Sequence, residues 1–326
     1  MIEIKNFIDA VNKRRLIYAL SAALALTGCV ANSLWAPFDV INAKDYEFLD
    51  SRRNKIDYLT QGSGEMYHVR TVLLGGEEHS ITSVPYCEEE LRVFKLRRNG
   101  KLKWPPNGKG CATDEFSAVE LPDRSNFICG GFPIQREVRS ASSSTWLLNS
   151  DSNDLILGPK LNEARANPTL TLLSDSRVLI SGGFSGYESG PLKTCEIFDS
   201  RKNVISPLAE LNIPRAKHGA AQLAGEYVMF AGGVTSPQFA DEDGHLTASV
   251  EILSLKTKLA VMVGKLHRAR YYPVVIPVGA DKAAVLGGFY WHWLSTRWLP
   301  EGEILKQSVK ETLRGSRSST THKEVK

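Results

Sequence analysis

Three arginines recur at a fixed distance from a pair of glycines. Arg165, Arg215 and Arg270 each lie 17 residues before the first glycine of such a pair. Guanidinium groups bind carboxylates and phosphates through paired hydrogen bonds. The shared phase predicts a shared location, so one hypothesis is that the three arginines bind an anionic ligand together. The alternative is that each arginine pairs with a carboxylate or carbonyl of the fold itself.

The remaining polar residues show no recognisable catalytic or metal-binding pattern. His218, His267 and His292 lack the spacing of metal ligands. The acidic run at residues 241–243 lacks the pattern of a calcium-binding loop. The sequence also contains no phosphate-binding loop, dinucleotide motif or nucleophile elbow. We therefore expect no cofactor and no metal, and we favour binding over catalysis while leaving an enzyme possible.

Five Gly-Gly pairs divide most of the chain into units of about 50 residues. Their first glycines are separated by 55, 52, 50 and 55 residues. Each pair follows a short apolar run such as NFIC or YVMFA, which is typical of a buried strand that ends in a tight turn. Further strands follow each pair, so each unit is predicted to contain four short strands. The ten glycines, all predicted to be structural, are Gly75 and Gly76, Gly130 and Gly131, Gly182 and Gly183, Gly232 and Gly233, and Gly287 and Gly288.

The segment from residue 194 to 233 resembles the kelch repeat of the galactose oxidase central-domain superfamily. It contains the strand TCEIFD, a Pro-Arg turn and a closing glycine pair. The resemblance implies an all-β fold, a kelch-type β-propeller of four-stranded blades over residues 45–300. Five pairs predict five blades, and a distorted sixth stays open. Either residues 45–59 or residues 289–300 are expected to supply the strand that closes the ring.

The predicted strand order places the arginines on one face of such a propeller. Strands one and two of each unit are antiparallel neighbours, so the start of one and the end of the other share an edge. In the kelch family, strand one lines the central channel. The resemblance therefore implies that the three arginines lie at the channel mouth, on the face that carries the loops after the glycine pairs.

The N-terminus has the pattern of an export signal. Lys13, Arg14 and Arg15 precede an apolar run of 11 residues at 16–26, shorter than the roughly 20 that a membrane-spanning helix needs. The run ends in LTGC, which resembles the lipobox of bacterial lipoproteins and predicts a lipid on Cys29. The alternative is an uncleaved anchor with an incidental cysteine. The residue after this cysteine is Val30, and in the lipoproteins that the sequence resembles such a residue implies export to the outer membrane.

The predicted chain thus has four parts and few further chemical signals. Residues 1–28 are the signal peptide, 29–44 a tether, 45–300 the propeller and 301–326 a polar, disordered tail. Cys87 and Cys111 lie in loop-like surroundings within one repeat and are a possible disulfide in an oxidising compartment. The net charge of +4, from 40 basic and 36 acidic residues, argues against nucleic-acid binding.

Two functions are compatible with these features. The favoured one is a membrane-tethered module of the bacterial cell envelope that binds an unknown protein, peptide or acidic glycan through its loop face. The alternative is a sugar-modifying enzyme resembling the sialic-acid mutarotases, acting on an acidic sugar. Such an enzyme needs a general acid or base beside the arginines. The sequence alone does not identify a residue for that role.

Overall fold

The computed structural model describes the second half of the chain almost continuously and the first half only in short strands. The described residues are 38–41, 46–49, 55–56, 71–74, 77–80, 113–133, 140–148, 155–223, 225–237, 245–279, 282–292, 295–299, 301–306, 308–309 and 311–313. Among them no helix is long and apolar enough to span a membrane. The sequence predictions that lie outside the described residues are the signal peptide, Cys29, Gly75, Gly76, Cys87 and Cys111.

The described residues form an all-β structure of 24 strands, all paired antiparallel. In chain order they are β1 Phe38–Ile41, β2 Tyr46–Leu49, β3 Lys55–Ile56, β4 Thr71–Leu74, β5 Glu77–Ser80, β6 Thr113–Asp114, β7 Ser117–Glu120, β8 Asn126–Cys129, β9 Phe132–Pro133, β10 Thr145–Leu148, β11 Leu155–Leu157, β12 Thr169–Leu172, β13 Val178–Ser181, β14 Thr194–Asp199, β15 Val204–Glu210, β16 Gly219–Gln222, β17 Tyr227–Ala231, β18 Ser249–Ser254, β19 Ala260–Lys265, β20 Val274–Val278, β21 Lys282–Leu286, β22 Phe289–His292, β23 Ser295–Trp298 and β24 Gly302–Leu305.

Four four-stranded sheets stand side by side as the blades of a β-propeller. From the inside outwards, blade I is β7-β8-β10-β11, blade II is β12–β15, blade III is β16–β19, and blade IV is β20-β21-β24-β1. Their inner strands β7, β12, β16 and β20 are successive neighbours. The predicted all-β propeller is therefore confirmed. The arrangement has four blades, which does not support the predicted count of five or six.

A further four-stranded sheet, ordered β3-β2-β4-β5, is built from the N-terminal strands. Strands β4 and β5 are antiparallel neighbours, with Leu74 opposite Glu77. Strand β5 lies beside β20, the inner strand of blade IV. Residues 45–59 were expected to close the ring by pairing with the last blade. That expectation is wrong, because β2 pairs with β3 and β4 instead.

Blade IV is completed by strands from the two ends of the described chain. Strand β1 pairs with β24, with Phe38 opposite Leu305 and Ile41 opposite Gly302. Strands β22 and β23, the other predicted closing segment, form a separate two-stranded hairpin. The partner β1 covers the edge of β24, which would otherwise expose unpaired backbone groups. Both strands lie outside the predicted range 45–300, so the blade extends past each end of it.

Apolar side chains fill the spaces between neighbouring blades. Phe127 of blade I stacks on Phe198 of blade II with ring centroids 4.2 Å apart. Cys129 and Cys195 are buried in these layers, as the sequence predicted. Burial raises the pKa of both thiols to about 12, which leaves them protonated and unreactive at neutral pH. The inter-blade layers therefore act as core and not as sites.

The antiparallel pairings give the propeller two distinct faces. Thr169, at the start of β12, is opposite Ser181, at the end of β13. The start of strand one and the end of strand two therefore share an edge, as predicted. We call this side, which carries the glycine pairs and the loops after them, the loop face. The opposite side carries the turns after strands one and three, and we call it the turn face.

Candidate functional site

The three phased arginines are buried within their own blades. Their side chains are 0%, 0% and 1% exposed for Arg165, Arg215 and Arg270. In each case Nη2 donates to a glutamate at 2.6–2.7 Å, and Nη1 donates to the carbonyl of the first glycine of the pair at 2.8–2.9 Å. The glutamate partners are Glu196, Glu251 and Glu303, each on strand three of the same blade.

Each glutamate is also held by the segment that leads to the arginine. Glu251 Oε2 accepts hydrogen bonds from the backbone N–H of Asn212 at 2.6 Å and from its Nδ2 at 2.8 Å. Glu196 has the same two partners in Asn162, and Glu303 has the N–H and Nδ1 of His267. A buried charge is tolerated only when it is paired and hydrogen-bonded in this way.

The predicted structural role of the glycine pairs is visible in their backbone conformation. All eight described glycines of these pairs have positive φ, between 59° and 95°. This is the left-handed region, which glycine enters without the steric cost that a Cβ imposes. The eight glycines are Gly130 and Gly131, Gly182 and Gly183, Gly232 and Gly233, and Gly287 and Gly288. The fifth predicted pair, Gly75 and Gly76, lies outside the described residues.

The second glycine of a pair connects one blade to the next. Gly131, Gly183 and Gly233 each donate the backbone N–H to the carbonyl of the arginine in the following blade, at 2.9–3.1 Å. These glycines are also crowded within their own blade. A Cβ on Gly183, Gly233 or Gly288 would lie 2.5–2.6 Å from a carbonyl oxygen of the segment after the arginine, that of Ala166, Ala216 or Tyr271.

The first glycine of a pair approaches the next blade just as closely. A Cβ on Gly182 would lie 2.0 Å from the carbonyl oxygen of Arg215. Real Cβ atoms do not come so near to a backbone oxygen, so the two blades would have to separate. Only glycine combines the left-handed conformation with this close approach. The glycine pairs therefore set the distance between neighbouring blades.

The prediction of an arginine ligand site is wrong. Arg165, Arg215 and Arg270 donate to carboxylates and carbonyls of the fold, and their side chains are closed off from solvent. The alternative given by the sequence, pairing within the fold, is the one observed. The partner carboxylates lie in the same blade, 31 to 36 residues after each arginine.

A different set of residues meets on the loop face, two positions after each arginine. Asn167, Lys217 and Tyr272 have φ values of 49°, 54° and 47°. In blade I, Thr113 stands in place of the arginine, and Glu115 two residues later has a φ of 57°. Four non-glycine residues thus share a left-handed conformation that costs about 1 kcal/mol or more each and that the surrounding structure must hold in place.

The side chains of these four residues contact one another across the propeller. Asn167 Nδ2 donates to Glu115 Oε2 at 2.6 Å, which joins blades II and I. Tyr272 Oη donates to Asn167 Oδ1 at 3.4 Å, which joins blades IV and II. Since blades II and IV are not neighbours, this contact passes over the central axis. We call Glu115, Asn167, Lys217 and Tyr272 the axial cluster.

Lys217 carries the positive charge of the axial cluster. Its Nζ lies 5.7 Å from the ring centroid of Tyr272 and 5.8 Å from that of Phe184. Among the described residues, no carboxylate oxygen lies within 4.0 Å of this nitrogen. Burial lowers the pKa of Lys217, and the negative charge of Glu115 opposes that change. A half-buried ammonium without an ion-pair partner is suited to an anionic group.

Aromatic residues that follow the glycine pairs pack beside the axial cluster. Phe184 forms a β-bridge with Ala166, and Phe289 forms one with Tyr271. The rings of Tyr271 and Phe289 stack with centroids 5.3 Å apart, and Phe289 also lies 5.9 Å from Tyr272. The segments directly before two of the cluster residues are thus fixed by these bridges. These bridges therefore fix the backbone from which the Asn167 and Tyr272 side chains extend.

His218 follows Lys217 in the chain, and its side chain lies between blades II and III. Its Nε2 is 2.9 Å from Ser181 Oγ, while Nδ1 has no hydrogen-bond partner among the described residues. Burial, together with the charge of Arg215, lowers the pKa of His218 well below 6.5. The ring is therefore neutral at physiological pH. In the part of the chain that the structure describes, no three His, Cys, Asp or Glu side chains are arranged to hold a metal ion.

Comparison with known proteins gives matches among solved structures alone. No family model matches the chain, and no curated protein sequence matches it. One solved structure that matches is titled "Structure of YjhT". It is 12% identical with a TM-score of 0.46, over 55% of this chain. The matched region spans about 60% of the YjhT chain.

The sequence contained a signal for the axial cluster, although residue types did not reveal it. Each member lies 15 residues before the first glycine of its pair, in the same phase as the arginines. The four side chains are chemically different, so no motif connects them. What they share is a left-handed backbone conformation. For residues other than glycine, the residue type does not predict this conformation.

Proposed function

We propose that this protein is an exported kelch-type propeller that binds an acidic ligand on its loop face. The observation that carries the proposal is the Lys217 ammonium, which has two aromatic rings beside it and no carboxylate within 4.0 Å among the described residues. An incoming carboxylate would supply the missing counter-charge. Tyr272, whose ring is the one 5.7 Å from this ammonium, and Asn167, which accepts a hydrogen bond from Tyr272, add phenol and amide groups for further hydrogen bonds.

The ligand class follows from the neighbours of Lys217. The partly exposed ring of Tyr272 can pack against a sugar ring or an apolar side chain, whereas Phe184 is fully buried, and the ammonium takes an acidic group. An acidic glycan or an acidic peptide fits both requirements. The negative charge of Glu115 on the other side of the cluster disfavours a ligand with several adjacent charges. A single carboxylate is the better match.

The binding proposal is tested by thermal shift with defined probes. We expect glucuronate, N-acetylneuraminate or an acidic dipeptide to raise the melting temperature of the wild type, with glucose as the neutral control. Lys217→Met should lose the shift. Lys160→Met, which removes an exposed lysine of the loop face outside the cluster, should keep it. The absence of any shift with wild type at millimolar probe concentration would contradict the proposal.

A second candidate function is acid–base chemistry on an acidic sugar, as in enzymes resembling the sialic-acid mutarotases. The observation that favours it is Glu115, a carboxylate in the same cluster as Lys217. One group would hold the substrate and the other would move a proton. Proton NMR of freshly dissolved N-acetylneuraminate tests this. Faster equilibration of the anomers with wild type, and not with Glu115→Gln, would support an enzyme.

We further propose that the chain is attached to the bacterial outer membrane through a lipid on Cys29. The support is the LTGC sequence after a short apolar run. Two or more acyl chains on one residue would anchor the protein stably. Cys29→Ala should abolish labelling with fatty-acid analogues and move the protein out of the membrane fraction. Labelling that survives this substitution would contradict the attachment.

We propose that the propeller is a ring of five blades. The sheet β3-β2-β4-β5 has the four strands of a blade, and its edge strand β5 lies beside β20. The sheet would then occupy the place between blade IV and blade I. A fifth glycine pair, Gly75 and Gly76, follows β4 in the sequence.

A further inference from the structure

The turn face carries two basic turns of the same shape on neighbouring blades. In blade II, residues 200–203, which include Arg201, Lys202 and Asn203, connect β14 to β15. In blade III, residues 255–259 connect β18 to β19. Asn203 and Lys258 occupy the same left-handed position, with φ values of 53° and 59°. Both turns therefore present basic side chains outward in one geometry.

An exposed apolar side chain follows the basic residues in each turn. Val204 is 44% exposed and Leu259 is 66% exposed. These two positions stand where the kelch pattern expects a tryptophan. A large apolar side chain at a turn tip, next to lysines and arginines, is the combination that inserts into the interface of a lipid bilayer.

The basic residues of these turns are largely uncompensated. Lys202 pairs with Asp199 at 3.6 Å, but Arg201, Lys256 and Lys258 have no carboxylate within 4.0 Å among the described residues. By contrast, the turn between β12 and β13 is neutralised internally, because Arg177 pairs with Asp175 at 2.7 Å. The excess positive charge is thus concentrated at the tips that also carry Val204 and Leu259.

The chain enters blade IV from this same face. Strand β24 follows β21 antiparallel and ends at the turn face with Leu305, and Phe38 is opposite Leu305. The first residue of β1 therefore lies at the turn face, and the predicted lipid at Cys29 is nine residues before it. A fully extended chain of that length spans at most about 32 Å. The described chain therefore begins at the turn face, and the anchor is at most about 32 Å of extended chain away from it.

We propose that the turn face docks on the surface of an anionic lipid bilayer and that the axial cluster consequently faces away from the membrane. The inference rests on the proposed lipid attachment, which brings this face to the bilayer. The occupant is fixed by the position of the tether, by the uncompensated charge of Arg201, Lys256 and Lys258, and by the exposed Leu259. Loop-face ligands would then reach the site from the aqueous side.

The test measures lysine reactivity on vesicles. The full-length lipidated protein is reconstituted into phosphatidylcholine vesicles with or without phosphatidylglycerol and treated with a membrane-impermeant acylating reagent. We expect labelling of the turn-face lysines, Lys202, Lys256 and Lys258, to fall at least threefold on the anionic vesicles. Lys160 and Lys265, exposed at the loop face, should be labelled equally on both. Equal labelling of the turn-face lysines on both vesicles, or protection of the loop-face pair, would overturn the docking.

Matched charge reversals separate docking from attachment. Lys256→Glu with Lys258→Glu should restore labelling of Lys202 on anionic vesicles, while Lys160→Glu with Lys265→Glu should leave its protection unchanged. The wild type and both double variants should float with the vesicles, because the lipid holds them. Flotation with unprotected turns in the wild type overturns the docking alone. Wild type that does not float overturns the attachment, and the docking with it.

Discussion

Trp146 in blade I occupies the strand position that Glu196 occupies in blade II. Trp146 pairs with Ile128, one residue before the end of β8, and Glu196 pairs with Ile180, one residue before the end of β13. The arginine that would pair with a glutamate there is also replaced, by Thr113. Both partners of the buried ion pair are thus exchanged together, which avoids a buried charge without a partner.

Breaking one of the remaining pairs should therefore be costly. Arg215→Met leaves Glu251 buried without its counter-charge, and we expect a loss of about 3–5 kcal/mol in the free energy of unfolding. Arg177→Met removes an arginine from a partly exposed pair and should cost less than about 1 kcal/mol. Urea denaturation measures both. Similar losses for the two variants would contradict a structural role for Arg215.

Removing both partners should be milder than removing one. Arg215→Met combined with Glu251→Leu replaces both charged side chains, and blade I likewise has no charged residue at either position. We expect the double variant to be more stable than Arg215→Met alone, because no unpaired charge remains. The same urea series completes the double-mutant cycle. A strictly additive loss would show that the two side chains do not depend on each other.

The glycine pairs should be more sensitive than glycines in open turns. Gly182 and Gly225 have similar φ values of 60° and 72°, but only Gly182 would place a Cβ against a backbone oxygen, at 2.0 Å. Alanine at either position meets the same backbone strain. We therefore expect Gly182→Ala to lower the unfolding free energy by about 2 kcal/mol more than Gly225→Ala. Equal urea midpoints would argue against the close approach.

His218 should make the propeller less stable in acid. Its folded-state pKa lies well below 6.5, so the unfolded chain binds a proton that the folded chain excludes. Stability attributable to this residue is full above pH 6.5 and declines as the pH falls below it, by up to about 1.4 kcal/mol per pH unit. Urea denaturation at about pH 7.5 and about pH 5.5, on either side of the unfolded-state pKa, should show a smaller difference for His218→Gln than for wild type. Identical differences would contradict the prediction.

Much of the fold was predictable because each blade needs the same residue types at the same backbone positions. Positive φ at the glycine pairs, and the edge shared by strands one and two, follow from residue types and spacing alone. Blade I carries only part of this signal, since Thr113 and Trp146 stand where the other blades have arginine and glutamate. The closing strand β1 was also missed, because four residues at one end of the chain carry no mark of a partner strand, β24, at the other end.

The site was less predictable than the fold for a physical reason. The repeated arginines form the most regular polar pattern in the sequence, and regularity proved to indicate a structural role that recurs from blade to blade. The axial cluster, by contrast, has a different residue in each blade, namely Glu115, Asn167, Lys217 and Tyr272, because these side chains contact one another and not equivalent partners. Only the backbone geometry made these residues comparable.

In our proposal Lys217, and not the phased arginines, receives an acidic ligand. Isothermal titration with the acidic probe that gives the largest thermal shift tests it most directly. A charge-assisted hydrogen bond contributes about 1.5–3 kcal/mol, so Lys217→Met should weaken binding roughly 10- to 100-fold. Lys160→Met should bind as wild type does. Wild-type affinity in Lys217→Met would contradict the account.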